Sequence, residues 1–549
     1  MKSFARISAL LWADILVAYA LFVMQNYLTD VWKLSFTHSA GILNIWGGIS
    51  MILPVFFLFL VDSILGNFTM LVFSSIAYTL GIGFVAMSTP PVLANSTGTC
   101  KQYEAHCIGN TQKILFYTGM GLIAVGIAGH LVSVHPFLEE QKDKPNNDKN
   151  TRKDILKLPG FTLVVLIPVV GAIALPYIKP WSVRFGIPAI FTVVATLCFL
   201  TGWFTYDKVE PQGSPITNVC RVFVAVVFKI SEPFDAKRLY KKDDESFSRT
   251  RFLRCLEKAA VTLPDVKLED QVNHRWRLCS ISEVEDAKIA VRMVPMWLTF
   301  VVCGIVSSTG NTYFIEQANH MNRNIGKWKL PIPILLLLFT WAKSTFASLA
   351  SCFLTISKKY APPLGIGISM IFSILCCITA ARIENRRLGV ITRHDLVHKP
   401  EEEIPMSVFW LLFQFFLLAG LDSFFEKSVV AFYDDQSPES MQKYLGFFTK
   451  GVSGLGFMCS VVSVYVVGRV SERGGKMNWF QFTLSRSRLD MYYWVLAGLS
   501  SVNLVVFVLV ASCYRYKNRE VNDEEAVDED GFGLPTDGNG EGGQCSCFC

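Results

Sequence analysis

Long apolar runs alternate with short polar breaks over most of the chain. A helix needs roughly 20 apolar residues to cross a bilayer core. Runs of this kind stand at Ile7–Leu28, Ile42–Val61, Thr69–Pro90, Ile114–Phe137, Phe161–Tyr177 and Trp181–Phe204. A polar stretch, Thr205–Lys288, interrupts them. Six more follow at Ile289–Phe314, Leu330–Leu354, Leu364–Ala381, Val408–Phe432, Tyr444–Val467 and Met491–Tyr514. The pattern predicts an all-α membrane protein with twelve transmembrane helices: a six-helix bundle over residues 1–204, a linker over 205–288 and a second six-helix bundle over 289–514. The tail, 515–549, is acidic and glycine-rich and is expected to be disordered. In the linker, Asn218–Ile230 is apolar with Arg221 and Lys229 near its ends, which predicts a helix lying along the membrane surface. Leu253–Ala260 is expected to form a short helical stretch.

Composition agrees with a membrane location. Of 549 residues, 51% are hydrophobic and 17% charged, against about 25% charged in soluble chains. Mean hydropathy is +0.37. The net charge of +6 is modest, and its Lys and Arg sit in loops, so no nucleic-acid partner is expected. Many of the 15 Cys fall within apolar runs, among them Cys198, Cys303, Cys376, Cys377 and Cys459, where they act as small hydrophobes. No CxxC pair occurs, so no metal site is expected. No cofactor is implied either. No HExxH, GxSxG or phosphate loop stands on a suitable element, which argues against an enzyme. Met1–Arg6 carries no cleavable signal pattern, so the first run reads as a retained helix.

Loop charge sets the expected orientation. Lys142, Lys144, Lys149, Arg152, Lys153 and Lys157 share a side with Lys237, Arg238, Lys241, Lys242, Arg249, Arg251 and Arg254 if twelve helices alternate. That side, with both termini, is expected to be cytosolic. Arg386, Arg387, Arg393, Arg469 and Arg473 fall on the other side, against the trend. The loop Pro91–Thr111 then lies outside or in a lumen. It carries the acceptor Asn95-Ser96-Thr97 and the pair Cys100 and Cys107. Asn95 is a candidate glycosylation site and the two Cys a candidate disulfide; an unmodified sequon and free thiols are the alternative. Cys545, Cys547 and Cys549 end the chain in a pattern open to lipidation, although most such tails are unmodified.

Several segments resemble one family in the right order. Asn26-Tyr27-Leu28-Thr29 looks like its NYLT at the end of helix one, and Leu60–Asn67 (LVDSILGN) looks like its FLADSYLGR. Gly213-Ser214-Pro215 resembles its GSPLT segment, and Cys255–Ala260 (CLEKAA) its FLDKAA. Cys279–Trp297, Tyr433–Met441 and Leu484–Ala497 resemble its stretches entering helix seven, after helix ten and entering helix twelve. The chain thus resembles the plant nitrate transporter 1/peptide transporter family. That family is part of the proton-dependent oligopeptide transporter group of the major facilitator superfamily. The resemblance spans about Asn26 to Tyr516 and implies the major facilitator fold and a small-molecule solute, with protons as a candidate coupling ion. It also reveals departures. The family's helix-one ExxER motif would begin at Leu10, but the chain reads Leu10-Leu11-Trp12-Ala13-Asp14. The family's helix-four lysine aligns with Leu131, beside His130, and Ser307 stands where some nitrate carriers have a histidine. Simple proton symport is therefore in doubt.

Ionisable groups inside a membrane are costly, about 2.5–3.5 kcal/mol at mid-helix by insertion scales, so each is a candidate cavity or pairing residue. Asp14 on helix one is a candidate proton carrier, with a buried hydrogen-bonded acid as the plainer alternative. Asp422 aligns with the family's helix-ten glutamate, and Glu426 shares its helix face at i+4. Lys343 and Lys450 stand as isolated cations that either attract an anion or bridge helices. His130 and His135 are able to titrate near neutral pH, although a lone histidine in an apolar helix is more often a packing residue. Asp62, in the turn between helices two and three, is expected to latch the cytosolic gate.

The expected function is a secondary carrier working by alternating access in the plasma or vacuolar membrane. Nitrate, other anions, peptides and hormones are its candidate solutes. A non-transporting sensor or scaffold is the alternative, separated from a carrier by saturable flux.

Overall fold

The computed structural model describes residues 2–141, 170–171, 173–175, 177–178, 180–211, 213–230, 238–240, 253–263, 268–273, 276–399 and 402–514. The predicted tail and its cysteines, most of Phe161–Tyr177, the cations from Lys142 to Lys157, and Lys237, Lys241, Lys242, Arg249 and Arg251 lie outside these residues. The first-half helices are α1 (Lys2–Phe22), α2 (Met24–Asp30), α3 (Phe36–Leu60), α4 (Gly66–Met87), α5 (Pro90–Thr97), α6 (Asn110–Glu140) and α7 (Trp181–Leu200). The linker carries α8 (Pro215–Phe228) and α9 (Leu268–Asn273). After it come α10 (Ile281–Ser307), α11 (Tyr313–His320), α12 (Pro333–Leu354), α13 (Ala361–Arg393), α14 (Leu412–Gln436), α15 (Glu439–Ser471) and α16 (Leu489–Cys513). Two small strand pairs lie after α11: β1 (Met321–Asn322) runs parallel to β4 (Ile404–Ser407), and β2 (Asn324–Ile325) antiparallel to β3 (Trp328–Lys329).

Ten helical segments are long and apolar enough to cross a membrane, and one of them, Phe36–Met87, has 52 residues. At 1.5 Å per residue that is roughly 78 Å, more than twice the core of a bilayer. It is two crossings, α3 and α4, divided by a π turn at Val61–Leu65 and by Gly66 at φ 70. That backbone angle strains any residue with a Cβ. Counted this way, eleven of the twelve predicted runs coincide with helices among the described residues. Phe56, Phe73, Ile190, Leu298 and Trp341 are more than half exposed on these helices. Such side chains suit lipid, and the protein is a multi-pass membrane protein.

The run predicted at Leu364–Ala381 continues as α13 to Arg393, so Arg386, Arg387 and Arg393 are helix residues and not loop charges. Arg387 is wholly buried; its Nε and one terminal nitrogen donate to Glu384 at 2.8 and 2.7 Å, and Gln317 donates to the same carboxylate at 2.6 Å. Arg386 stacks 4.0 Å from the Trp410 ring. These two cations run against the loop-charge trend because they are paired or stacked, whereas the trend counts free loop charge.

α3 runs alongside α15, where Asn44 donates to Ser460 at 3.0 Å. At the other linker-free end, Thr29 of α2 donates to Glu316 of α11 at 3.4 Å. In the linker, Val222 and Ala225 of α8 pack with Leu256, Ala259, Ala260, Cys279, Val284 and Ala287 into a small core. That core joins the linker to the first turns of α10. These turns begin with a reciprocal cap, Ser280 N to Glu283 at 3.1 Å and Glu283 N to Ser280 Oγ at 3.3 Å. Lys229 is buried beside this core and donates to the carbonyls of Ala259 and Val261 at 3.1 and 2.7 Å. Burial pushes its ammonium down to about 8.

Candidate functional site

Three helices of the first half bring one polar chain together. The Asp14 carboxylate on α1 lies 2.9 and 3.1 Å from Nδ1 of His130 on α6. Nε2 of His130 lies 2.9 Å from Oγ of Ser75 on α4. A carboxylate only accepts, so Nδ1 carries the hydrogen of that contact; neutral Nε2 then accepts from Ser75, and imidazolium Nε2 donates to it. The Tyr78 ring meets the imidazole edge-on at 5.3 Å between centroids. His130 is 4% exposed, while the Asp14 side chain keeps 28%. α4 and α6 must approach closely for this contact. A Cβ on Gly129 would come within 2.4 Å of Ser74 Cβ, so the approach requires glycine there.

Leu131, which aligns with the family's lysine, is 41% exposed. It points away from this chain, while His130, about 100° around the helix, reaches Asp14. His130 therefore does not stand alone in its helix: it is bonded to Asp14 and Ser75. His135 is exposed one and a half turns on.

The second half holds a looser cluster. Ser307 of α10 donates to Asp422 of α14 at 2.8 Å. Nζ of Lys343, on α12, lies 3.8 Å from the other Asp422 oxygen, with the two side chains 35% and 24% exposed. One turn on, Glu426 lies 3.8 Å from Lys450 of α15. Lys343 and Lys450 are therefore not isolated. Each faces a carboxylate of α14, because that helix packs between α12 and α15. Ser423 caps the arrangement by donating to the Lys343 carbonyl at 2.8 Å.

Asp62 lies in the turn between α3 and α4. The Tyr444 hydroxyl of α15 donates to it, Ser214 donates to that hydroxyl at 2.7 Å, and Gly213 N donates to the Asp62 carbonyl at 2.9 Å. Beside this junction is a cavity of about 300 Å³. At the opposite end, Asn95 is exposed on α5, a helix and not a loop. Cys100 and Cys107 are bonded, with Cα atoms 4.9 Å apart. Together with His106 they are the one group of three potential metal ligands among the described residues, and the two sulfurs are taken up by their own bond.

Sequence reasoning missed Ser75, Ser214, Tyr444 and the buried Gln317–Glu384–Arg387 network. Hydroxyls carry no charge penalty that marks them out in an apolar run. The i, i+3 spacing of Glu384 and Arg387 was a usable signal for the network, hidden by ending the helix at Ala381.

Comparison with known proteins places this geometry. Residues 68–480 match the family model described as PTR2: POT family. The chain is 39% identical over 522 residues to "Protein NRT1/ PTR FAMILY 5.5" of Arabidopsis thaliana, covering 93% of this chain and 96% of that protein. It is 27% identical to "Protein NRT1/ PTR FAMILY 5.4" of the same plant, covering 92% of each. Among solved structures, the POT family transporter PepTSo superposes with a TM-score of 0.61 at 16% identity, covering 93% of this chain and 98% of that one. A POT family transporter in complex with 5-aminolevulinic acid superposes with a TM-score of 0.57 at 10% identity, covering 93% and 96%.

Proposed function

The chain belongs to the POT family, a family of membrane transporters and not of enzymes, and from that premise we propose that it is a secondary carrier of a small anionic or zwitterionic solute. The observation that carries this reading is the Lys343–Asp422–Ser307 cluster. Its ion pair is long, at 3.8 Å, and partly exposed. Such pairs contribute about 0–1 kcal/mol, so a solute group can replace a partner at little cost. A proton on Asp422 releases the Lys343 ammonium for a carboxylate or nitrate, which links solute entry to protonation. Glu426 and Lys450 extend the same path. The solved neighbour bound to 5-aminolevulinic acid, which carries an amine and a carboxylate, supports a solute of this size and charge.

Asp14, His130 and Ser75 form the proton-handling chain of the first half, standing in for the absent ExxER motif. Asp62 latches the linker side. The two six-helix bundles at 1–204 and 289–514 rock about the solute, with the linker between them. The Asn95 sequon and the Cys100–Cys107 bond face outside or a lumen, and the membrane is the plasma or vacuolar one. Reconstitution into vesicles tests the reading. Uptake that saturates and follows an imposed pH gradient is expected for one of a panel of nitrate, short peptides, amino acids and organic acids. Binding without flux across the whole panel would instead make the chain a sensor.

A further inference from the structure

The junction at Asp62 contains more than the two halves of a carrier. The Tyr444 phenol has one hydrogen to give, and the Asp62 carboxylate only accepts. Tyr444 therefore donates to Asp62, and any further partner of the phenol oxygen must be a donor. Ser214 Oγ fills that place at 2.7 Å. The hydroxyl chain runs one way, from Ser214 to Tyr444 to Asp62. A second contact comes from the same linker segment, Gly213 N to the Asp62 carbonyl at 2.9 Å. Gly213 adopts φ 97, a region that side chains rarely enter. The linker thus bonds the Asp62 carbonyl directly and reaches its carboxylate through Tyr444, just where it enters α8.

The far end of this segment is anchored in the second half. Arg221 of α8 pairs with Glu283 of α10 at 3.2 Å. Lys288 of α10 is wholly buried between Glu257 and Glu285, 2.8 Å from each. At the Asp62 end the cavity of about 300 Å³ is lined by Asp62, Asn67, Glu140, Glu210 and Lys443, with Asn67 donating to Glu140 at 2.6 Å. The linker is consequently a strap. One end is fixed to α10 by burial and charge; at the other, Ser214 bonds Tyr444 of α15, also in the second half, and Gly213 N alone bonds the first half directly, at the Asp62 carbonyl. When the halves rock, the contacts that must part are the two that reach Asp62, from Tyr444 and from Gly213.

We propose that Ser214 is a positioning residue of the linker-side gate: it aims the Tyr444 hydroxyl at Asp62, so the linker sets how readily this side opens. The proposal rests on the reading of the protein as an alternating-access carrier latched at Asp62. It needs no solute to test. Spin labels are placed through non-natural amino acids at exposed Glu139 and Lys359, which lie on the linker side of the first and second halves, in the full chain in lipid nanodiscs. Distances are measured for wild type, Ser214→Ala, Tyr444→Phe, the double variant and Ser214→Thr. Each of the first two single variants should raise the open-to-closed ratio about fivefold, the size of one typical hydrogen bond. The double variant should match Tyr444→Phe alone, and Ser214→Thr, which keeps the donor, should match wild type. Additive shifts in the double variant, or no shift from Ser214→Ala where Tyr444→Phe shifts, would overturn the role of Ser214 and leave the carrier reading standing. A single unchanging distance in every variant would overturn the carrier reading and the proposal with it.

Discussion

The two halves hold their charge differently. In the first half, Asp14, His130 and Ser75 are linked by contacts of 2.9 Å around an almost fully buried imidazole. In the second, Lys343 and Asp422 stand 3.8 Å apart with a quarter to a third of each side chain exposed. A short chain centred on a buried imidazole is expensive to break at that ring, because the groups orphaned around the buried ring lose a partner where little water can replace it, although the Asp14 carboxylate itself is 28% exposed. A loose exposed pair exchanges partners readily. The first arrangement suits holding a proton, and the second suits greeting a solute.

The largest expected effect comes from His130→Leu. It strands Asp14 and Ser75 together and should lower stability by about 3 kcal/mol, read as a fall in melting temperature of the protein in detergent. A melting curve like that of wild type would show that the chain is not a buried unit. Next is Asp14→Asn, which keeps size and removes charge. One proton moved per solute supports accumulation of about tenfold per pH unit. The variant should lose that accumulation while retaining counterflow exchange, which needs no net proton movement. Accumulation at the wild-type level would remove Asp14 from the coupling.

A buried cation outside the membrane offers a reference for the cost of burying charge. Lys229 has its ammonium pushed down to about 8 from 10.5 by burial, so the charged form is the one that folding disfavours. The linker should therefore gain stability as pH rises past 8 toward 10.5, by about 1 kcal/mol between pH 7 and pH 9. Limited proteolysis of the linker at the two pH values measures this, and Lys229→Met should flatten the difference. The smallest effect on the fold belongs to Lys343→Met, under about 1 kcal/mol because the pair is exposed. Uptake of an anionic solute should nevertheless fall steeply in that variant. If it melts as early as His130→Leu, the contrast between the two clusters is wrong.

Much of this was legible in the chain. The apolar runs anticipated the crossings because transfer into lipid adds up locally, residue by residue. The ionisable residues Asp14, Asp422 and Lys343 drew notice for the same reason: each is costly where it stands. Their partners were not legible. His130 stands out as a group able to titrate, but nothing along the chain pairs it with Asp14, or Lys450 with Glu426. Hydroxyls such as Ser75, Ser214 and Tyr444 carry no penalty that singles them out.

What the amino-acid sequence determined by itself is therefore the membrane location, the family and the roster of charges that need company. What only the tertiary structure decided is the company. Asp14 meets His130 across 116 positions, and Tyr444 meets Asp62 across 382. A shift of one residue turns a side chain by about 100°, enough to send Leu131 outward and His130 inward. Hydropathy is summed along one helix, whereas pairing depends on the rotation and neighbours of two or three, and those are settled only when the helices pack.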